Sequence, residues 1–385
     1  MVNTRTLIEA KDETMATLAS RTPRGGLTRR VLASPVVDLL LGPHGVDRYL
    51  ELIRPTLTVA EARAQITAVQ RQTARSVTLT LAPNRAWAGF DAGQYVAIGV
   101  EIDGVRRTRT YSPAGSAHAS GQLELTVTEH PGGAVSAHLL RAARPGAIVH
   151  LGDAQGTFVL PQPRPRRLVL ISGGSGITPP MSMLRTLVDE GHDGQIAFLH
   201  YARTPGDWLY EPEVRALQRR HPALHVDYRA TRTRDSGPRA RLDAATLRGL
   251  LGDLDGATAA VCGPPGLLDA APDAWQEAGG DPARLLTETF TPPRLLVGAG
   301  SATGTLRFLR SDRTAEISEG TLLEQAEAAG LSPQFGCRMG ICHTCTCRKA
   351  AGAVRNLRTG AVSDEENEDI QLCISAPAGD VALEL

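Results

Sequence analysis

Four cysteines constrain this chain more than any other feature. Four and then two residues separate Cys337, Cys342 and Cys345, and twenty-seven lie between Cys345 and Cys373. That is the ligand spacing of a plant-type 2Fe-2S cluster, which needs a loop wrapped around three thiolates and a fourth brought in from a distant strand. A structural zinc site usually presents two short cysteine pairs instead. Gly336 and Gly340 let the backbone approach closely, so that amide N–H groups can point at the sulfurs and help set the potential. Cys347 falls outside the ligand pattern and is expected as a thiol on an adjacent strand position. His343 is expected to be exposed. Six cysteines in 385 residues, four of them between Cys337 and Cys347, do not resemble a disulfide framework. Reduced, cytoplasmic thiol chemistry is expected.

The charge balance excludes some partners. Forty-one basic residues face forty-one acidic ones, so no global field favours nucleic acid or an anionic membrane. No stretch approaches the roughly 20 apolar residues of a spanning helix, and the N-terminal residues, with Lys11, Asp12 and Glu13, show no long apolar leader. Neither secretion nor a membrane span is expected.

Five segments follow along the chain. Residues 1–57 form a mixed N-terminal extension, with an apolar cluster at Val36–Leu41 and a helix-like stretch at Val46–Ile53. Residues 58–162 carry short Val-, Thr- and Ile-rich runs, Ser76–Leu81, Tyr95–Ile102 and Gln122–Thr128, broken by Gly and Pro turns, which predicts an antiparallel barrel or sandwich. At 163–290 the register changes. Leu168–Ser172 leads through a Gly-rich turn into the helical spacing of Met181–Val188, Ile196–Tyr201 precedes a helix at Glu211–His221, and Ala257–Cys262 forms a third apolar run. These βα units predict a doubly wound nucleotide-binding domain. Residues 291–303 read as a linker. In 304–385, Thr305–Leu309 and Arg313–Ile317 predict a hairpin and Leu322–Ala329 a short helix before the cysteine loop.

Two short runs in the barrel carry flavin chemistry. Arg109, Thr110, Tyr111 and Ser112 end a strand, and Gly132, Gly133, Ala134, Val135 and Ser136 begin a helix. An arginine can pair with a pyrophosphate, a tyrosine ring can flank a flavin, a serine hydroxyl can approach a flavin nitrogen, and helix-start N–H groups can hold phosphate. Alone, Tyr111 could be barrel packing and the glycine pair a turn; their order ahead of a nucleotide unit favours the site. Gly173-Gly174-Ser175-Gly176-Ile177-Thr178-Pro179 opens a helix after a buried strand, where a second pyrophosphate can sit, although it is not the GxGxxG fingerprint. Arg203 stands just past the second strand, where a 2'-phosphate asks for a cation; Arg232 and Arg234 could add charge. NADPH is therefore preferred, while Asp207 leaves NADH open.

With these motifs in this order, residues 58–385 resemble the ferredoxin-NADP reductase superfamily, in particular members carrying a plant-type ferredoxin domain at the C-terminus. The resemblance implies an antiparallel β-barrel for FAD, a doubly wound α/β nucleotide domain and an α+β β-grasp ferredoxin domain. It implies that Arg109, Thr110, Tyr111 and Ser112 bind FAD with Gly133–Ser136 at its pyrophosphate, and that Phe290 of Glu288-Thr289-Phe290 lies against the isoalloxazine ring. Gly174, Gly176 and Thr178 match the superfamily's Gly-x-Gly-Ile-Thr-Pro turn, and Cys262-Gly263-Pro264-Pro265 its partner element, with Cys262 near the reacting atoms unless it is merely a buried strand-end thiol. Ser112, Cys262 and Glu288 are then the polar catalytic candidates. The extension before the barrel and the segments Pro83-Asn84-Arg85, Ala92-Gly93-Gln94 and Cys337–His343 look most like actinobacterial reductases serving membrane fatty-acyl desaturases. Hydride would pass from NAD(P)H to FAD and single electrons through the 2Fe-2S cluster to a terminal acceptor, with recruitment to the membrane by that partner. A Rieske oxygenase or a cytochrome P450 is the rival acceptor, and a redox-sensing nucleotide-binding protein the rival of another class.

Overall fold

Apolar residues at every second position build the first unit. The computed structural model describes residues 56, 58, 61–233, 241–290, 303–336, 338, 340 and 343–385. The expected N-terminal extension, apart from residue 56, and the linker up to residue 302 lie outside the described residues. Strands β1 (Arg63–Thr73), β2 (Ser76–Pro83), β3 (Val96–Ile102), β4 (Val105–Tyr111), β5 (Leu123–Thr128) and β6 (Ile148–Leu151) form one antiparallel sheet in the order β4-β3-β6-β1-β2-β5. A bridge between Pro113, two residues past β4, and Leu125 of β5 joins the two ends and curls the sheet into a barrel. Val77, Leu79 and Leu81 point inward with Ile98, Leu125 and Val127, and helix α1 (Ala134–Ala142) adds Val135 and Leu139 to that core. Burying such side chains contributes roughly 1.5–3 kcal/mol each.

The second unit is a five-stranded parallel sheet in the order β11-β10-β7-β8-β9. Its strands are β7 (Arg167–Gly173), β8 (Gln195–Ala202), β9 (Leu224–Ala230), β10 (Thr258–Cys262) and β11 (Leu285–Glu288). Helices α2 (Thr178–Asp189) and α3 (Glu211–Arg220) cover one face through Met181, Leu184, Val214 and Leu217. Helices α4 (Ala244–Leu251) and α5 (Pro265–Glu277) cover the other through Leu247, Leu251 and Trp275. With helices on both faces the sheet is doubly wound, and its chain order reverses between β7 and β10, where such folds take ligands. The sequence reading found three of the five strands. β9 is half polar, and β11 has four residues, too few for a period to show.

The last unit is α+β. Strands β12 (Thr305–Phe308), β13 (Arg313–Glu316), β14 (Thr346–Asn356), β15 (Val362–Ser363) and β17 (Ser375–Leu383) run in the order β13-β12-β17-β14-β15, with β16 (Glu368–Gln371) also on β14. Helix α6 (Leu322–Ala328) starts in a capping box between Thr321 and Glu324 and packs Leu322, Leu323 and Ala326 on Leu306, Phe308 and Val381. Lys349 is wholly buried between β14 and β16, its ammonium 3.0 Å from Glu368 Oε2 and from the Ser363 carbonyl.

Candidate flavin and nucleotide site

A cleft of about 380 Å³ opens where the barrel meets the nucleotide domain. Its main walls are Arg109–Ser112 from the end of β4, His130–Gly133 with Val135 and Ser136 at the start of α1, and Glu288–Phe290 at the end of β11, with Ser175 and Thr178 facing them. Each is delivered by the end of an element rather than its middle, so backbone donors and side chains both reach the space. Helix α1 begins at Gly133 with no side-chain cap and no acidic residue in its first turn, which keeps its N–H groups and positive end available for an anion. A Cβ on Gly133 would stand 2.6 Å from Ser136 Oγ, and that hydroxyl instead donates to the Gly133 carbonyl and accepts from His130 N.

Two polar atoms in the cleft lack partners. Ser112 is 2% exposed and its Oγ makes no hydrogen bond, and one Glu288 carboxyl oxygen is buried and equally unpartnered. A buried polar group without a partner costs about 1–3 kcal/mol, so both atoms fit a ligand that completes them. Burial pushes the Glu288 carboxyl up to about 8. It therefore carries a proton at neutral pH. Tyr111 packs on the barrel core and also faces the cleft, where burial raises its phenol. Phe290 forms a partly exposed wall at 37%.

At the chain reversal, two glycine-rich turns interlock. A Cβ on Gly176 would fall on the Cys262 carbonyl and lie 2.9 Å from the Gly263 Cα, while one on Gly263 would lie 3.0 Å from Gly173 N. Gly174, at φ +57°, faces open space. Arg203 is exposed just past β8, and its carbonyl accepts from Arg232 N at 2.9 Å, so these two arginines sit side by side. Arg234 lies outside the described residues. Asp207 is turned back on its own loop, taking Thr204 N at 3.2 Å and Thr204 Oγ1 at 2.8 Å.

In the C-terminal unit Cys345 and Cys373 are 3% and 2% exposed, and Gly340 N, at φ +71°, donates to Cys373 Sγ at 3.2 Å. Buried thiols met by a backbone N–H fit a cluster ligand set. Cys337 and Cys342 lie outside the described residues. Cys347 is on β14, buried, with its thiol pushed up to about 11 by burial, and His343 is exposed.

The oxidoreductase FAD-binding domain model matches residues 64–160, the oxidoreductase NAD-binding domain model 170–273, and the 2Fe-2S iron-sulfur cluster binding domain model 308–378. An NADPH oxidoreductase of Mycobacterium tuberculosis is 37% identical over 385 residues, covering 98% of this chain and 97% of its own. The chain belongs to the ferredoxin reductase family with a C-terminal 2Fe-2S domain. A glycine betaine monooxygenase reductase subunit of Pseudomonas aeruginosa is 29% identical over 77% of the chain and 87% of its own. Among solved structures, phthalate dioxygenase reductase shares the fold at TM-score 0.58 and 22% identity, over 84% of this chain and 97% of its own. The protein is an NAD(P)H-dependent oxidoreductase with FAD and a 2Fe-2S cluster.

Of the residues singled out in the sequence, Arg109–Ser112, Gly133, Val135, Ser136, Thr178, Glu288 and Phe290 converge on the cleft of the reductase. Ala134 lines an adjoining groove with Arg75 and Arg141. Gly174, Gly176, Arg203, Gly263 and Pro264 do not line the cleft, although Ser175 and Thr178 of the nucleotide turn do. Cys262 is wholly buried in the core under α2, and burial followed by the nearby Glu288 charge pushes its thiol well up. It does not line the cleft, and in register it pairs with Glu288, which does. Tyr95, Thr126 and Thr128 line the cleft without having been singled out as site residues. Nothing in their local sequence marks them, since only barrel closure turns them inward.

Proposed function

We propose that this reductase oxidises NADPH and hands single electrons to an oxygen-activating terminal enzyme, with a membrane fatty-acyl desaturase as the specific acceptor. The convergence of the Arg109, Gly133 and Glu288 segments on one cleft supports the cofactor part of this reading, and the likeness of Pro83-Asn84-Arg85, Ala92-Gly93-Gln94 and Cys337–His343 to desaturase-serving reductases supports the acceptor. When bound, FAD and the cluster convert the two electrons of a hydride into single-electron transfers. Arg109 and the α1 N-terminus hold the pyrophosphate, Thr110 and Ser112 offer polar atoms to the flavin ring, and Tyr111 and Phe290 wall it. Glu288 keeps a proton inside the cleft. The Gly174–Thr178 turn and Gly263-Pro264 seat the nucleotide, and Arg203 beside Arg232 takes the 2'-phosphate. Cys337, Cys342, Cys345 and Cys373 ligate the cluster, whereas Cys262 shapes the floor beneath the site.

Two of the relatives bear on the donor and acceptor: one is named for NADPH and another serves a monooxygenase. The test is reconstitution. Purified protein carrying one FAD and one complete 2Fe-2S cluster, with iron and labile sulfide each in twofold excess over FAD, should support turnover of a membrane desaturase with NADPH as donor. Turnover of a Rieske oxygenase or a cytochrome P450 alone would move the acceptor, and zinc without sulfide would refute the electron path.

A further inference from the structure

Arg109 belongs to the flavin-binding strand, yet its Nη1 donates to the carbonyl of Gly336 at 2.7 Å as well as to that of Thr108 at 2.8 Å. Gly336 immediately precedes the first cluster cysteine. The neighbouring Phe335 packs on the core of the C-terminal unit, and its ring meets two guanidinium groups, Arg109 at 5.9 Å and Arg338 at 4.0 Å from the centroid. Arg338 is itself tied to Glu327 of α6 at 2.5 Å. A guanidinium carries five N–H donors on a rigid fork, so one edge can serve these carbonyls while another faces an anion in the cleft. The aromatic ring therefore joins the strand that lines the cleft to the loop that holds the cysteines.

We propose that Phe335 is a positioning residue that docks the cluster loop on the flavin-binding strand and thereby sets the rate of electron transfer between them. This rests on the electron path of the preceding subsection. With both groups bound, each transfer would move one electron and turn one ferric ion of the cluster ferrous; the cluster would pass that electron on before the second transfer, and the hydride's single proton would leave to solvent once over the two. Loss of the ring removes both cation–π contacts and lowers the docked population.

The experiment is anaerobic stopped-flow on the full chain carrying FAD and cluster, following flavin bleaching by NADPH and cluster reduction as separate signals. Phe335→Ala is expected to slow cluster reduction about tenfold, equivalent to about 1.4 kcal/mol, with flavin bleaching, iron content and the cluster's EPR spectrum unchanged. Phe335→Tyr, which keeps the ring face, should restore the rate. If the alanine variant loses iron, Phe335→Leu takes its place, since it keeps apolar volume and lacks the face; the same slowing is expected. Wild-type cluster reduction in the alanine or leucine variant, or equal slowing in the tyrosine variant, would overturn the assignment. A wild-type protein whose flavin NADPH does not bleach would instead overturn the functional reading beneath it.

Discussion

Replacing Arg185 should loosen the joint between barrel and nucleotide domain by a predictable amount. From α2 its Nη1 reaches Glu124 Oε1 of β5 at 2.5 Å and the Ala114 carbonyl at 2.9 Å. Its Nε and Nη2 fork onto Glu213 of α3 at 2.8 and 2.6 Å, and its guanidinium lies 5.0 Å from the Tyr210 centroid. The side chain is 16% exposed, Glu124 27% and Glu213 42%. Removing one member of a buried pair costs about 3–5 kcal/mol, whereas an exposed pair is worth about 0–1. With Glu124 mostly buried and Glu213 half in solvent, Arg185→Met should cost about 3 kcal/mol. For a unit of about 150–250 residues that lowers the melting temperature by about 6–12 °C. Arg185→Lys should recover only part, because a point charge cannot serve both carboxylates and the carbonyl. Thermal melts followed by release of bound flavin decide it. A shift below about 2 °C, less than 1 kcal/mol, would show that this network is not what joins the two units.

Three further outcomes follow from the site. The Glu288 carboxyl is held at about 8 against an ordinary 4.5, so between those values the folded protein binds the extra proton and stability falls as pH rises; Glu288→Gln should flatten that slope in urea midpoints compared at about pH 6 and pH 9. Arg203→Ala should lower kcat/KM for NADPH about ten- to a hundredfold and leave NADH little changed, since a charge-assisted hydrogen bond is worth about 1.5–3 kcal/mol; equal losses for both nucleotides would move the 2'-phosphate to Arg232. Gly176→Ala drives a Cβ against the Cys262 carbonyl and should destabilise by about 1–3 kcal/mol with a raised KM for the nucleotide. Gly174→Ala meets no atom and should cost only the roughly 1–2 kcal/mol of a left-handed backbone, so equal melting losses would remove the packing argument.

What the sequence determined by itself was local chemistry and its order. Cysteine spacing, a buried run before a glycine turn, and alternation in Ser76–Leu81 each follow from the geometry of a loop, a βα unit or a strand, and each is readable within a few residues. Strands whose burial comes from their neighbours were not legible. Arg63–Thr73 carries Arg, Gln and Thr along most of its length and becomes a strand because β2 and β6 pair with it, while β9 and β11 rely on the parallel strands beside them. The glycines of the nucleotide turn show the same division. Their motif is local, but whether a given Cβ is forbidden depends on the facing turn 86 residues further on, which leaves Gly176 locked against Cys262 and Gly174 open. Only tertiary structure decided that Cys262 is wholly buried and does not line the cleft, that Thr126 and Tyr95 face it, and that Arg109 reaches Gly336 across the chain. These facts depend on burial and distance between segments far apart in sequence, which closure of the barrel and docking of the three units create.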